Sequence, residues 1–126
     1  RTAFWKANGL DATLTEARLR EATVAVRAVG NVEAGSVTAG LQALGVTVQE
    51  DGQLTVVITD DYLRPELRDI NRQALASGRP WLLAKPVGAE IWLGPLFRPD
   101  VTGCWECLAH RLAHNREVAA YLEYRL

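Results

Sequence analysis

The chain has 126 residues, of which 48% are hydrophobic and 23% are charged, and its formal net charge is −1 at pH 7. These values are ordinary for a globular protein with one hydrophobic core. So small a charge gives no electrostatic basis for binding nucleic acid or an anionic membrane, and no apolar run reaches the ~18 residues that span a bilayer. We therefore expect no nucleic acid and no membrane among its partners, and a cytoplasmic location.

The sequence contains no methionine and begins at Arg1, so we expect residues 1–126 to be a single domain excised from a longer protein. The apolar pattern and the helix stop signals divide it into three parts. The parts are N-terminal helices over residues 1–21 (at about 2–8 and 13–20), a sheet core over residues 22–97, and a cysteine segment with C-terminal helices over residues 98–126.

A strand, a glycine turn and a helix are predicted one after another from residue 22 onward. The β-branched run 22–29 predicts a buried strand, the turn begins at Gly30, and apolar periodicity predicts a helix that starts near Gly35. A further strand at residues 46–48 completes a βαβ unit, whose crossover should be right-handed. The turn is similar to the dinucleotide-binding fingerprint, except that Val32 replaces the middle glycine.

Two residues of this turn argue against a bound nucleotide. The branched side chain of Val32 would keep a pyrophosphate away from the backbone amides, and Glu33 places a negative charge at the helix N-terminus that would repel a phosphate. The alternative is that the turn binds a nucleotide despite these residues. We favour a Rossmann-type turn that is kept for packing, and we expect no nucleotide cofactor.

Two carboxylates, Asp60 and Asp61, follow a buried strand predicted at residues 54–59. Open α/β sheets bind ligands at the carboxyl ends of their strands, so this pair is a candidate for holding a metal or for acid–base catalysis. The simpler interpretation, which we favour, is that one of them caps the helix beginning near Pro65, because Asp is a preferred N-cap residue. We therefore expect no catalytic residue at this place.

Two more strands, at residues 80–85 and 89–94, are separated by a connection too short for a parallel crossover. They are predicted to pair as an antiparallel hairpin. Lys85 is either a catalytic or phosphate-binding amine or, as we favour, a solvated turn residue. Two C-terminal helices are predicted to follow, over residues 104–114 and 115–124.

Both cysteines of the chain, Cys104 and Cys107, stand three positions apart where a helix is predicted to begin. Two thiolates at this spacing can bind one tetrahedral metal such as zinc, which takes four ligands, so the pair is half of a metal site. The alternatives are an unmetallated thiol pair and a redox disulfide, because a helix N-terminus activates a thiolate. His110 and His114 are predicted to be surface or packing residues, since ten residues of helix between positions 104 and 114 span about 15 Å.

Several segments of the chain are typical of one protein superfamily. They are Thr59-Asp60-Asp61, Tyr62-Leu63-Arg64-Pro65, Asn71-Arg72, Gly78-Arg79-Pro80-Trp81, the run from Pro80 to Pro86, and the run from Gly94 through Gly103-Cys104-Trp105-Glu106-Cys107-Leu108 to Arg111. Over about residues 4–124 the sequence resembles the ubiquitin-activating-enzyme or ThiF-like superfamily. It is most similar to the ThiF-like cyclodehydratase domains of bacteriocin biosynthesis, which serve in making thiazole/oxazole-modified microcins.

The resemblance implies a fold. It is an α/β, Rossmann-like, ThiF-type fold of three layers, with a mostly parallel sheet, a C-terminal antiparallel hairpin and two C-terminal helices. The short connection between the second and third predicted strands leaves no room for the adenylation segment of active ThiF-type enzymes. This departure indicates that the domain alone does not catalyse a reaction.

The resemblance also implies a role in peptide modification. Such proteins bind the leader of a ribosomal precursor peptide and present its core Cys, Ser and Thr residues to a YcaO-type partner or fused domain, which uses ATP to form azolines. In the family, the pair matching Cys104 and Cys107 binds zinc together with a second cysteine pair, which this sequence lacks. The winged-helix part that binds the leader normally precedes the ThiF-like core and is absent from these 126 residues as well.

The leading hypothesis is therefore a non-catalytic scaffold and docking domain of a cyclodehydratase. Its rival from another class is a nucleotide-binding adenylyltransferase or oxidoreductase, which Gly30, Gly35 and Asp60 favour. A third interpretation is a homodimer in which Cys104 and Cys107 of two chains complete one metal site.

Overall fold

The computed structural model describes residues 12–125, and it describes side chains over residues 13–118. The helix predicted at residues 2–8 lies outside the described residues. In chain order, the elements are helix α1 (Ala12–Glu21), strand β1 (Thr23–Val29), helix α2 (Gly35–Ala43), strands β2 (Thr47–Val48) and β3 (Leu54–Thr59), helix α3 (Glu66–Ser77), strands β4 (Trp81–Lys85) and β5 (Trp92–Phe97), and helix α4 (Trp105–Arg125).

The strands form one sheet in the order β2-β1-β3-β4-β5. Strand β1 pairs in parallel with β2 and β3, and β3 pairs in parallel with β4, whereas β5 is antiparallel to β4. This confirms the predicted α/β fold with a mostly parallel sheet and a C-terminal antiparallel pair. Because the parallel strands point the same way, the turn after β1 and the residues after β3 lie at the same edge of the sheet.

Helices cover both faces of the sheet, so the fold has the three predicted layers. Trp81 is 2% exposed and anchors the face under α3 and α4, where its ring centroid lies 4.6 Å from that of Phe97. The cluster on this face comprises Val29, Val57, Tyr62, Leu67, Ile70, Ala74, Trp81, Leu83, Phe97 and Trp105. The cluster on the opposite face comprises Val24, Val46, Val56 and Ile58, packed against residues of α1 and α2 that include Leu19, Val37 and Leu41.

The C-terminal part differs from the prediction in two respects. Strand β5 begins at Trp92 rather than at residue 89 and continues through Pro95, which an edge strand tolerates because no neighbour requires a proline N–H there. The two predicted C-terminal helices are one continuous helix, α4. Residues 114–116 contain neither Gly nor Pro, and Arg116 Nη2 donates to Asp61 Oδ1 at 2.9 Å. The helix is therefore held to the loop after β3 at the place where a break was predicted.

No helix among residues 12–125 combines the length and the hydrophobicity needed to cross a bilayer.

The connection between β2 and β3 is short, as the spacing predicted, and it packs tightly against β1. The backbone N–H of Gln53 donates to Thr23 Oγ1 at 2.9 Å. A Cβ atom at Gly52 would lie 2.5 Å from the backbone N of Ala25 and from the backbone C of Val24. Only a glycine fits at this contact, because backbone atoms of a central strand cannot move aside without disturbing the sheet.

We expect Gly52→Ala to lower the free energy of unfolding by about 1–3 kcal/mol, the usual cost of forcing extra atoms into a packed contact. Urea unfolding measures this change. Gly40→Ala is the matched control, because Gly40 lies within α2 and nothing lies within 4 Å of an added Cβ. That variant should be as stable as the parent or more stable by about 0.5–1 kcal/mol. Equal stability of Gly52→Ala and the parent would contradict the close packing.

Candidate functional site

A charged pair, Asp60 and Arg64, lies in the loop after β3 and contacts the turn after β1. Together with Gly30 and Asn31 we call this pair the strand-end cluster. Arg64 donates twice to Asp60, from Nε to Oδ1 at 2.8 Å and from Nη2 to Oδ2 at 2.7 Å. Asp60 Oδ2 also accepts the backbone N–H of Asn31 at 3.2 Å. Asn31 belongs to the turn whose amides would bind a phosphate in a dinucleotide-binding protein. The carboxylate therefore uses an N–H group that a phosphate would need.

Gly30 lies directly against this charged pair. Its φ is +91°, and a Cβ atom there would lie 2.2 Å from Asp60 Oδ1 and 2.7 Å from Arg64 Nε. A glycine is required because a side chain would both strain the backbone and displace the ion pair. The first glycine of the fingerprint-like turn is thus explained by a contact within the protein.

The sequence interpretation is that the side chain of Val32 keeps a pyrophosphate away from the turn amides. Val32 is partly buried and packs against the hydrophobic cluster under α1 and α2. The group at the turn amide is Asp60, whose role depends on the approach of two strand ends that are 29 positions apart in sequence. Asp60 thus occupies one amide of the turn, and the obstruction of the turn by Val32 stays a prediction.

The interpretation of Asp60 or Asp61 as the cap of α3 was wrong. Pro65 occupies the N-cap position, and no side chain donates to or accepts from the helix start there. Asp61 Oδ1 accepts the backbone N–H of Leu63 at 2.9 Å and also binds Arg116. Each carboxylate is thus neutralised by an arginine.

These contacts lower the pKa of both carboxyl groups. Hydrogen bonds from Arg64 are the main cause that holds the pKa of Asp60 at about 2, below the ordinary 3.8, although burial opposes the shift. Burial raises the pKa of Asp61, but the hydrogen bonds from Arg116 and Leu63 outweigh it, and the net shift is downward. Both groups are therefore poor proton donors or general bases at neutral pH.

Two other polar side chains at this edge, those of Lys85 and Tyr62, make contacts within the protein. Lys85 Nζ lies 5.0 Å from the centroid of the Trp92 ring, so the lysine makes a cation–π contact. The Tyr62 hydroxyl donates to the carbonyl groups of Leu83 and Gly94, and burial raises the pKa of Tyr62 to about 12. A phenol with that pKa is not a base at neutral pH.

A second group of polar residues lies where α3 meets the start of α4, and we call Asn71, Cys104, Trp105 and Cys107 the cysteine corner. Trp105 is 3% exposed, and its indole Nε1–H donates to the Tyr62 carbonyl at 2.9 Å. Its backbone N–H donates to Asn71 Oδ1 at 3.1 Å. The helix that carries Cys107 is therefore fixed at its first residue by a polar side chain of α3.

Both thiols at this corner are free; Cys104 is partly buried and Cys107 is exposed. Burial raises the pKa of Cys104, but the backbone amides of Cys107 and Glu106 and the side chain of Asn71 outweigh it, and the net shift is downward. The helix start thus favours a thiolate at position 104, as expected for a cysteine at a helix N-terminus.

The thiols of Cys104, just before α4, and Cys107, in its first turn, are the metal ligands that the sequence predicts. Two thiolates could take two of the four positions around zinc. Within the described part of the chain, no group of three or more His, Cys, Asp or Glu side chains is arranged to hold a metal ion. His110 and His114 are exposed, which agrees with their interpretation as surface residues.

The sequence interpretation gave no role to Arg64 and Asn71, which belong to the two groups, or to Arg116, which binds Asp61. Arg64 follows Asp60 by four positions, but both residues precede α3, so the rule for such pairs on a helix gave no signal here. Asn71 lies among the buried residues Leu67, Ile70 and Ala74 of α3, so a polar side chain on an apolar helix face was a readable signal. Arg116 had no local signal, because Asp61 is 55 positions away in sequence.

Comparisons with protein families and with curated proteins found no match. Solved structures do match this chain. A heterocyclase in complex with substrate and cofactor is 49% identical over 97% of this chain, with a TM-score of 0.83. The heterocyclase TruD is 46% identical over 98% of this chain, with a TM-score of 0.84. The chain has a cyclodehydratase-related fold.

The chain spans only a part of each of these proteins, 16% of the first heterocyclase and 18% of TruD. A structure of E. coli MccB with succinimide is also similar, with a TM-score of 0.58 over 94% of this chain and 53% of that chain. Its sequence identity is 15%, so this likeness concerns the fold alone.

The ion pair of the strand-end cluster predicts a particular pH dependence. Because the folded pKa of Asp60 is about 2 and its ordinary value is 3.8, the group stabilises the fold fully above pH 3.8 and loses this effect as the pH falls through about 2. We expect Asp60→Asn to be less stable than the parent at pH 5 in urea unfolding, and the difference to shrink as the pH is lowered to about 2. A difference that is the same at both pH values would contradict the ion pair.

Proposed function

We propose that this chain is a non-catalytic scaffold and docking domain of an azoline-forming cyclodehydratase. In this role it presents a ribosomal precursor peptide to a YcaO-type, ATP-dependent partner in the cytoplasm. The partner, or a domain fused to this one, carries out the cyclisation. The proposal places the domain in the biosynthesis of thiazole/oxazole-modified, bacteriocin-like peptides.

The similarity to heterocyclases carries the assignment to a cyclodehydratase. Identities of 49% and 46% extend over nearly the whole chain. The activity of a heterocyclase belongs to a much longer protein, so the part that this chain plays has to be argued from its own residues.

The strand-end cluster supports the non-catalytic role. A nucleotide at the β1 turn would need the Asn31 amide, which Asp60 already uses, and its phosphates would meet that carboxylate at close range. Displacing Asp60 would also separate it from Arg64, with which it forms two charge-assisted hydrogen bonds. These costs argue against the alternative of an adenylyltransferase-type domain, and we propose that the turn binds no nucleotide.

The cysteine corner supports zinc as a structural component. We propose that Cys104 and Cys107 supply two of four ligands and that two further thiolates come from another part of a longer protein or from a second copy of this chain. The chain itself has no other cysteine. Zinc would supply a fixed junction between polypeptide segments and would not take part in the cyclisation chemistry.

A reconstituted reaction tests the proposed function. A precursor peptide with core Cys or Ser residues is incubated with ATP and a YcaO-type protein, with and without this chain, and loss of water from the peptide is followed by mass spectrometry. We expect faster azoline formation when this chain is present, because a scaffold raises the effective concentration of the peptide at the enzyme.

A further sample separates the scaffold from the adenylyltransferase. The chain alone, incubated with ATP and the peptide, should give no exchange of label between ATP and pyrophosphate. Exchange by the chain alone would contradict the non-catalytic role and would favour the adenylyltransferase. An unchanged rate of azoline formation would contradict the docking role.

A further inference from the structure

Strand β1 has an open edge over its second half. It is seven residues long, but its neighbour β2 has only two residues, which pair with Thr23 and Val24. The pairing ends with the hydrogen bond from the Gln49 N–H to the Val24 carbonyl. Beyond Val24, no strand among residues 12–125 pairs with this side of β1.

The backbone groups on this edge follow from the alternation along a strand. The carbonyls of Ala22 and Val24 both accept N–H groups from the β2 side, so the N–H and C=O groups of Val26 and Ala28 point to that side as well. Within the described part of the chain, no backbone hydrogen bond reaches these two residues from there, and Ala28 is exposed. The edge therefore offers main-chain donors and acceptors to which a further strand can bind.

Arg27 is a charged residue in the middle of an otherwise apolar strand. It is exposed, although Val29, two positions further along on the same face, is buried in the cluster under α3 and α4. The helices thus cover the end of β1 and leave its middle accessible. Among the residues that the structure describes, no carboxylate forms an ion pair with Arg27.

Two cavities share Arg27 in their walls. One has a volume of about 560 Å³, lies at the open edge and is lined by residues 25–27 and 48–50. The other, of about 320 Å³, extends from Arg27 and Glu50 to Arg79. Of the charged side chains that line them, Arg27 and Arg79 are positive and Glu50 is negative. A bound segment that carries carboxylates would complement the excess of positive charge.

We propose that the open half of β1 is a docking edge for an extended, acidic segment of the precursor peptide. The segment pairs through its main chain with Val26 and Ala28, and one of its carboxylates binds Arg27. Pairing with a sheet edge is an established way of binding an extended peptide. That the segment belongs to the precursor peptide rests on the proposed function, but the binding of an acidic, extended peptide at this edge does not.

Ala28→Pro tests the main-chain contact. Proline has no N–H and is tolerated where a strand N–H faces away from its neighbours, so this variant should keep the sheet. Ala28→Val is the matched control, because it changes the side chain and retains the N–H. A probe peptide that is N-methylated at every residue tests the same hydrogen bonds from the other side, in case Ala28→Pro does not fold.

The probe is a fluorescein-labelled peptide of four Val-Glu repeats, and its binding to the chain is followed by fluorescence anisotropy. We expect saturable binding to the parent and to Ala28→Val. Binding to Ala28→Pro should be about tenfold weaker or more, because a hydrogen bond is lost and the proline ring obstructs the edge. The N-methylated probe should not bind the parent. The proposal is wrong if the parent does not bind the probe, if Ala28→Pro binds it as tightly as Ala28→Val, or if the N-methylated probe binds equally well.

Arg27→Glu tests the charge. We expect the Val-Glu probe to bind this variant up to about fivefold more weakly than the parent, the usual size of an exposed ion pair, and a Val-Lys probe to bind it more tightly. Arg111→Glu is the control, because it makes the same change in net charge at an exposed site on α4. Equal effects of the two variants would show that net charge alone matters, which contradicts the role of Arg27.

Amide hydrogen exchange at Val26 and Ala28 shows what covers the edge. In the chain without peptide, we expect both amides to exchange faster than the amide of Val57 in β3, and to be slowed by a saturating amount of the Val-Glu probe. Slow exchange without peptide would show that the edge is already covered. The cover would be a second copy if the exchange slows with protein concentration, and a segment of the same chain if it does not, and either result would overturn the proposal.

The azoline assay connects the edge to the precursor peptide. Ala28→Pro should lose the acceleration that the parent gives, whereas Ala28→Val should retain it. Full acceleration by Ala28→Pro would overturn the assignment of the segment to the precursor. If the parent itself gives no acceleration, the proposed function fails, and the measurements with the Val-Glu probe still decide whether the edge binds an acidic peptide.

Discussion

The bidentate bond between Asp60 and Arg64 holds a carboxylate beside the nucleotide-like turn of this protein. The carboxylate follows β3, lies against the turn after β1 and also accepts the Asn31 N–H. Gly30 is required by this contact, since any side chain there would meet the carboxylate. A turn whose spacing is similar to a phosphate-binding loop is thus part of the internal bonding of the sheet edge.

The loop after β3, which carries Asp60, Asp61 and Tyr62, connects the strand-end cluster to the cysteine corner. Tyr62 follows the two carboxylates, is buried, and accepts the indole N–H of Trp105 through its carbonyl. Arg116 binds Asp61 from further along α4. The start of α4 is therefore held by Tyr62 and its later part by Asp61, the two residues that follow Asp60.

Features set by local sequence could be predicted, and features set by distant contacts could not. The β-branched runs identified the strands, and the short connection after Lys85 identified the antiparallel pair. The partner of Asp60 at the turn and the partner of Asp61 on α4 depend on tertiary approach, so the sequence suggested a helix cap instead. The break predicted near residue 115 failed because a contact with the loop after β3 supports the helix there. The spacing of Cys104 and Cys107 indicated a thiol site, but the part played by Asn71 required the structure.

The claim that Asp60 keeps the Asn31 amide from a nucleotide is tested most directly at that amide. Its NMR signal is followed in the ¹⁵N-labelled chain while ATP and Mg²⁺ are added up to millimolar concentration. The account predicts no saturable shift of the Asn31 or Gly30 signals, because Asp60 retains the amide. A saturable shift of these two signals at micromolar ATP would show that the turn opens to bind a nucleotide, and would contradict the account.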